Sequence, residues 1–360
     1  MARFNTNLGV WAALGAAVLF GLGTPLAKPL LGPVSPWMLA ALLYLGSGIG
    51  LALWRLTRGG LFAGVRLQPG DTGWLLGAIA SGGVLGPALL MLGLSRLPAS
   101  GVSLLLNVEG VLTALLAWFV FKENFDRRIA LGMVAIAAGC VVLAWPQARA
   151  PGETGLWFDL WPALAVLGAC LAWAIDNNLT RKVALADASF IAMTKGLAAG
   201  LTNLLLALGA GADWPAWSQV AAAGLIGFAS YGASLVLFVV GLRYLGSART
   251  GAYFSVAPFV GAAVALVWLG ESLTPSLMVA TALMSLGIWL HLTERHAHEH
   301  VHEPMVHEHE HSHDDGDPHH THSHDVPVEP GTRHSHAHRH EHLVHSHVHF
   351  PDAHHQHAHP

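Results

Sequence analysis

The chain has 360 residues, of which 53% are hydrophobic and 11% charged. An ordinary soluble domain is about 25% charged, so a single soluble domain is excluded. All 25 histidines lie at or after His291; residues 294–360 carry a net charge of −9 and residues 1–293 a net +5. This division gives a polytopic membrane segment followed by a soluble, His-rich tail. Cys140 and Cys170 both sit inside apolar runs, with no C-x-x-C, which excludes a disulfide scaffold. No basic face is available for nucleic acid, so none is expected as a partner.

In chain order, ten apolar runs of membrane-crossing length can be read: roughly 8–27, 36–54, 73–93, 99–120, 129–146, 160–179, 188–208, 217–240, 249–269 and 276–292. The breaks carry turn chemistry: Pro33 and Pro36, Gly59-Gly60, Pro69-Gly70, Pro151-Gly152, and Asp213 to Pro215. Asp126 before Arg127 reads as an N-cap, and Thr274-Pro275 as an N-cap followed by proline at the first helical position. Tryptophans near span ends, among them Trp11, Trp37, Trp145 and Trp217, read as an aromatic belt.

Lysine and arginine set the orientation. With the N-terminus inside, Arg3, Arg55, Arg58, Arg66, Lys122, Arg127, Arg128, Arg181, Lys182, Arg243, Arg249 and Arg295 face the cytoplasm. Only Lys28, Arg96 and Arg149 face out. Both termini are therefore expected in the cytoplasm and the chain in the inner (cytoplasmic) membrane.

The two halves match at an offset of 148: Leu92-Gly93-Leu94 and Leu97 recur as Val240-Gly241-Leu242 and Leu245. Val108, Ala114, Ala117, Glu123 and Gly139 recur as Val256, Ala262, Ala265, Glu271 and Gly287. Nearer the start the offset is 153, pairing Ala16 to Phe20 with Ala169 to Trp173, and Lys28 with Arg181. Each half holds five spans, and five is odd, so the second half enters the membrane in the opposite sense. That inverted repeat is frequent among secondary transporters, because swapping the conformations of near-equivalent halves turns a cavity from one face to the other. The expected fold is all-α and integral to the membrane. Ten transmembrane helices form two inverted five-helix repeats, residues 1–146 and 160–293. An external linker, 147–159, joins them, and a disordered His-rich cytoplasmic tail follows, 294–360.

The ordered pair of halves, the aromatic-then-small motif in spans one and six, and the closings Phe121-Lys122-Glu123 and Leu269-Gly270-Glu271 resemble the EamA type of drug/metabolite transporters. The resemblance covers about residues 8–292. It implies export of amino acids, other small metabolites or drugs without ATP. It also implies a central cavity lined by spans one to four and six to nine. Where that family often carries proline in the middle of spans four and nine, this chain has Gly110 and Pro258. The tail is an addition to the family core.

Ionisable groups at membrane depth cost about 2.5 kcal/mol or more and face a cavity or a partner. Glu109 lies near the middle of span four. Asp176, followed by Asn177, lies near the cytoplasmic end of span six, and Lys195 in span seven. One reading is a cavity in which Glu109 meets substrate or proton, while Lys195 pairs with Asp176 or attracts a substrate carboxylate. The other is a buried ion pair that fixes helix packing. The repeat adds Asn107 paired with Ser255, Thr24 paired with Asn177, and Tyr44 matching Lys195. Each could fix a substrate group or make an interhelical hydrogen bond, worth about 0.6 kcal/mol. Thr24-Pro25 and Gly86-Pro87 could free backbone carbonyls toward a cavity, or mark kinks repaired by neighbours. Gly46, Gly48 and Gly50 read as sites of close helix approach. Glu123 and Glu271 read as turn and interface residues.

The tail repeats H-x-H at His296, His298, His300 and His302, at His307, His309, His311 and His313, and from His334 to His342. Imidazoles interleaved with carboxylates bind Zn, Ni, Co or Cu with low specificity. H-E-x-x-H occurs at His298–His302 and His307–His311 by simple alternation, with no folded wall to make a protease. No nucleophile–base constellation appears among the spans, so an enzyme is not expected, no cofactor is required, and no catalytic residue is assigned.

The expectation is a secondary transporter that exports small organic metabolites, amino acids or related compounds. The alternative is efflux of a divalent metal (Zn, Ni or Co), or metal buffering, with the tail collecting ions. Small-molecule substrate and lipid bilayer are the partners; the oligomeric state stays open, a homodimer included.

Overall fold

The structure is a computed structural model describing residues 2–62, 70–121, 127–145, 156–182, 187–245 and 247–292, and in the tail 297–302, 306–311, 334–339 and 343–348. It divides into two units, Met1–Glu294 and Arg295–Pro360.

In the first unit, α1 (Ala2–Ala27) runs into a 3-10 turn at Lys28–Leu31. Helix α2 (Pro36–Leu56) starts on Ser35, whose hydroxyl accepts from the Met38 amide, with proline at its first position. Helices α3 (Asp71–Ala78) and α4 (Gly86–Arg96) are joined without a break by a π-helical stretch, Ile79–Leu85. Next come α5 (Ala99–Leu105), α6 (Val108–Phe121), α7 (Arg127–Ala144) and α8 (Leu156–Lys182). Helix α8 begins inside the stretch 147–159 expected as linker. Helix α9 (Ala188–Gly209) is capped by Asp187. Helices α10 (Trp217–Gly227) and α11 (Ser234–Leu245) flank a second π stretch, Phe228–Ala233. Helices α12 (Ser247–Phe254), α13 (Ala257–Trp268) and α14 (Pro275–Leu292) complete the unit. Thr274 caps α14 as expected, accepting from the Leu277 amide at 3.2 Å. Asp126, Pro69 and Pro151-Gly152 lie outside the described residues.

Among the described residues, seven helical segments are long and apolar enough to cross a membrane: Leu8–Leu31, Pro36–Leu56, Asp71–Arg96, Ala99–Leu116, Leu160–Thr180, Ala188–Gly209 and Trp217–Gly241. Three shorter apolar helices, Ala130–Ala144, Ala257–Trp268 and Pro275–Leu290, fall on the remaining runs read from sequence. The chain is a multi-pass helical membrane protein. The run at 249–269 is broken at Ser255-Val256, between α12 and α13. Pro258 explains the break: it has no amide to donate to the carbonyl of Phe254. The first half breaks at the matching place, Leu106-Asn107, without a proline. There Asn107 Nδ2 occupies the Leu104 carbonyl at 2.9 Å, and the Asn107 amide reaches the same oxygen at 3.0 Å.

Packing pairs two sets of corresponding helices, α2 with α9 and α7 with α14, and the halves also meet through α4 with α8 and α5 with α13. The contacts use small residues, as membrane packing requires. A Cβ on Gly48 would lie 2.5 Å from the Leu197 amide nitrogen, so only glycine lets α2 and α9 approach this closely. A Cβ on Gly46 would meet the Gly224 carbonyl oxygen at 2.2 Å. Large apolar side chains such as Trp11, Leu205, Leu225 and Val267 face outward, as a lipid-facing surface requires.

The sequence predicts a disordered tail; the described tail residues instead form two antiparallel pairs. Strand β1 (Ala297–His302) pairs with β4 (Leu343–Val348), and β2 (Val306–His311) with β3 (His334–Arg339). The physical reason is the H-x-H alternation itself, whose period of two is the period of a strand. The register sets His298 opposite His347, and His309 opposite His336.

Candidate functional site

The π stretch at Ile79–Leu85 organises the site. The Gly86 amide reaches back five residues to Ser81, so it leaves the Gly82 carbonyl without its helical donor. Pro87 has no amide, so the Gly83 carbonyl is also freed. Side chains from three other helices take up these oxygens. Tyr44 of α2 donates its hydroxyl to Gly82 O at 3.0 Å, and Trp173 of α8 donates Nε1 to the same oxygen at 2.8 Å. Asn203 of α9, fully buried, donates Nδ2 to Gly83 O at 3.1 Å. The Gly86-Pro87 pair thus does free carbonyls, and neighbouring helices satisfy them. Pro25, by contrast, lies inside α1 without ending it.

Against this stretch lies an ion pair. Lys195 Nζ of α9 donates to both oxygens of Asp176 of α8, at 2.5 and 2.6 Å, and to Thr180 Oγ1 at 3.4 Å. The Lys195 and Asp176 side chains are only 16% and 8% exposed, so the pair is shielded from water on both sides. Asp176 presses on Gly82, where a Cβ would overlap the carboxylate. The residue after it, Asn177, donates Nδ2 to Glu109 Oε1 at 2.8 Å. Glu109 stands in the first turn of α6, directly after the break at Leu106-Asn107, where the helix dipole favours its negative charge. It lies within electrostatic range of Asp176 and Lys195. Among the described residues, no lysine or arginine bonds to Glu109.

Aromatic rings continue the site from Tyr44. The Tyr44 and Tyr231 centroids are 5.5 Å apart, Tyr231 and Phe20 6.0 Å, and Phe20 and Phe254 5.3 Å. Tyr231 belongs to the second π stretch, Phe228–Ala233.

The structure therefore brings together Glu109, Asn177, Asp176, Lys195 and Tyr44. Thr24 is buried on α1, next to Gly23, which lies against Ser230 and Tyr231. Asn107 turns the other way, donating Nδ2 to Met284 Sδ of α14 at 3.7 Å. Ser255 sits at the matching break between α12 and α13. Trp173, Thr180, Asn203, Tyr231 and Phe20 are members that sequence reasoning missed. For Trp173 the Gly82-Gly83 and Gly86-Pro87 pairs were a signal that donors would be needed nearby. The others carry none, because each depends on which helices meet.

Two clamps close one end of the bundle. Lys28 Nζ donates to the carbonyls of Leu94 and Leu97 at 2.5 and 2.7 Å, at the C-terminus of α4. Glu271 accepts from the Ala99 and Ser100 amides at 2.6 and 2.9 Å, at the N-terminus of α5. Cation on carbonyl end and carboxylate on amide end both match the helix dipoles. Near the first residues of α9, Arg55 of α2 binds Asp187 at 2.7 Å and also the Ser189 hydroxyl. Burial pushes the Asp187 carboxyl up, but the Ser189 hydroxyl, the Phe190 amide and Arg55 outweigh it and hold it below its ordinary value. Glu123 lies outside the described residues.

Among the described residues, no group of three or more His, Cys, Asp or Glu is placed to hold a metal ion. Cys140 and Cys170 are buried and separate thiols. Of the tail histidines, His296 and His313 lie outside the described residues, while His298, His300 and His302 occupy β1 and His307, His309 and His311 occupy β2.

Buried polar groups at membrane depth, broken and π-distorted helices, and a lipid-facing exterior are features of polytopic membrane transporters. The chain belongs to the EamA-like transporter family, whose model matches residues 7–145 and again 160–293. It is 27% identical over 300 residues to an uncharacterized transporter of Methanothermobacter thermautotrophicus, covering 78% of this chain and 85% of that one. It is also similar in fold to a crystal structure at a TM-score of 0.56, with 23% identity, covering 79% of this chain and 94% of the other.

Proposed function

We propose that this transporter is a secondary carrier of the cytoplasmic membrane that exports small organic metabolites of amino-acid size by alternating access. The observation that carries the reading is Glu109. It is a carboxylate at membrane depth that, among the described residues, is held by the Asn177 amide alone, beside an ion pair that already neutralises itself. A lone carboxylate in that setting is costly unless a cationic ligand or a proton meets it.

The two matched segments, each with a broken helix and a π stretch at corresponding positions, support two inverted five-span halves around this site. Both termini then lie in the cytoplasm, as the lysine and arginine distribution requires. In that orientation the Lys28 and Glu271 clamps are external. The outer half-helices α5 and α13 pack together, while α6 packs on α8 and α12 on α1.

Glu109→Gln should abolish substrate efflux from cells while leaving the protein in the membrane. Untargeted comparison of exported metabolites between the two strains identifies the cargo. Asn177 bonds to Glu109, and Asp176, Lys195 and Tyr44 lie within electrostatic range of it. Unchanged export and an unchanged pH profile in Glu109→Gln would remove Glu109 from the mechanism.

A further inference from the structure

A carrier for amino acids needs two complementary groups, an anion for the ammonium and a cation or a set of strong donors for the carboxylate. The site supplies the first and withholds the second. Lys195 is bound by both oxygens of Asp176 and by Thr180, so its three donors are engaged. Two further described cations serve other partners. Arg55 serves Asp187 and Ser189, and Lys28 serves the α4 carbonyls. With Asp176 and Lys195 cancelling, Glu109 leaves the site with one net negative charge. The Trp173 and Asn177 side chains sit four residues apart on α8, hence on one helix face. Trp173 and Tyr44 share the Gly82 carbonyl, and Tyr44 leads to Tyr231 and Phe20. The Glu109 carboxylate, bonded to Asn177, thus lies about one helical turn of α8 from Trp173, which begins the run of rings through Tyr44, Tyr231 and Phe20. Aromatic faces attract cations, and an apolar body packs well on them.

We propose that the cargo is an amphiphilic organic amine: a primary ammonium that docks on Glu109, with an apolar or aromatic body against Tyr44, Trp173 and Tyr231, and no free carboxylate. This rests on the carrier reading above and narrows its substrate class. A zwitterionic amino acid would bring its carboxylate into a site where, among the described residues, the net charge is already negative and the neighbouring lysine is engaged.

Three matched probes test it on the purified full-length protein: 2-phenylethylamine, L-phenylalaninamide and L-phenylalanine. They share the ring and the ammonium, and only the last has a carboxylate. Binding is followed by tryptophan fluorescence and by thermal stabilisation. The two probes without a carboxylate should bind at least about tenfold tighter than L-phenylalanine, since an unpaired charge is penalised in a dry site. Glu109→Gln should lose that binding and Glu109→Asp should keep part of it; each variant's own melting temperature shows whether it is folded. If Glu109→Gln does not fold, Lys195→Met with Asp176→Asn, which removes the neutral pair together, must still prefer the amines. Equal or tighter binding of L-phenylalanine overturns the proposal, as does failure of all three probes to bind, or amine binding undiminished in folded Glu109→Gln. Counterflow in proteoliposomes separates this failure from failure of the carrier reading. Glu109-dependent movement of L-phenylalanine without movement of 2-phenylethylamine keeps the carrier and rejects the substrate class. Movement of neither also rejects the class, and the cellular export comparison then decides the carrier.

Discussion

Arg55 and Asp187 illustrate how single residues of this protein are tuned by what meets them. Neither stands out in the sequence: Arg55 counts only among the cytoplasmic charges, and nothing there singles out Asp187. Folding sets Arg55 on Asp187 at 2.7 Å, across 132 residues of chain. The Asp187 carboxyl is held below its ordinary value in the folded state. Its stabilising contribution is therefore complete at neutral pH and is lost as pH falls through that lowered value, on the acid side of about pH 4. Asp187→Asn should flatten the acid limb of a melting-temperature profile and leave the neutral-to-alkaline part parallel to wild type. A variant with the same acid limb would show that the pair does not respond to pH in this way. Glu109, Asp176 and Lys195 differ in kind, since ionisable residues inside apolar runs stand out by type alone. Sequence left open whether Lys195 paired with Asp176 or awaited a substrate; the bidentate contact answers that at the level of geometry.

At the scale of the element, the distortion of the third span is a chemical consequence of Gly86-Pro87. Proline withholds a donor, the helix widens into a π turn, and two carbonyls require outside donors. Asn203 supplies one of them. Asn203→Leu should leave the Gly83 carbonyl buried and unpaired, costing about 1–3 kcal/mol of stability. Pro87→Ala restores an amide four residues after Gly83. The double variant should therefore recover much of the loss, and a double-mutant cycle on thermal or denaturant stability would show strongly non-additive effects. Simple additivity would mean that the Asn203–Gly83 bond is not what the proline makes necessary. The second π stretch, Phe228–Ala233, has no proline at its end, so the sequence gives no local warning of it. Ser234, directly after it, ties it to α1 by donating to the Ala16 carbonyl at 3.0 Å.

For the whole molecule, the first unit contains the membrane-crossing helices and the polar site, and the second contains the His-rich tail. Residues 1–293 are therefore expected to export cargo at a rate close to that of the full chain. Expressing the truncation and measuring efflux per molecule in the membrane checks this directly. Loss of export with normal membrane insertion would make the tail part of the transport cycle.

The amino-acid sequence by itself determined the membrane setting, the approximate spans, the matching of the halves and the small set of charged residues at depth. These are properties of composition and spacing, and a twenty-residue apolar run has one stable home. It also marked the Gly86-Pro87 lesion, because proline's missing donor is local chemistry. The tertiary structure alone decided which of the marked residues share a site. It placed Asn177 on Glu109 and closed Lys195 on Asp176. It turned Asn107 toward Met284, and it assembled Trp173, Tyr44, Tyr231 and Phe20 from four separated segments. The reason is physical: in lipid every helix is apolar on most faces, so hydropathy cannot say which face meets which neighbour. That choice is made by glycine-scale fit between helices, as at Gly48 against Leu197, and by where freed carbonyls find their donors.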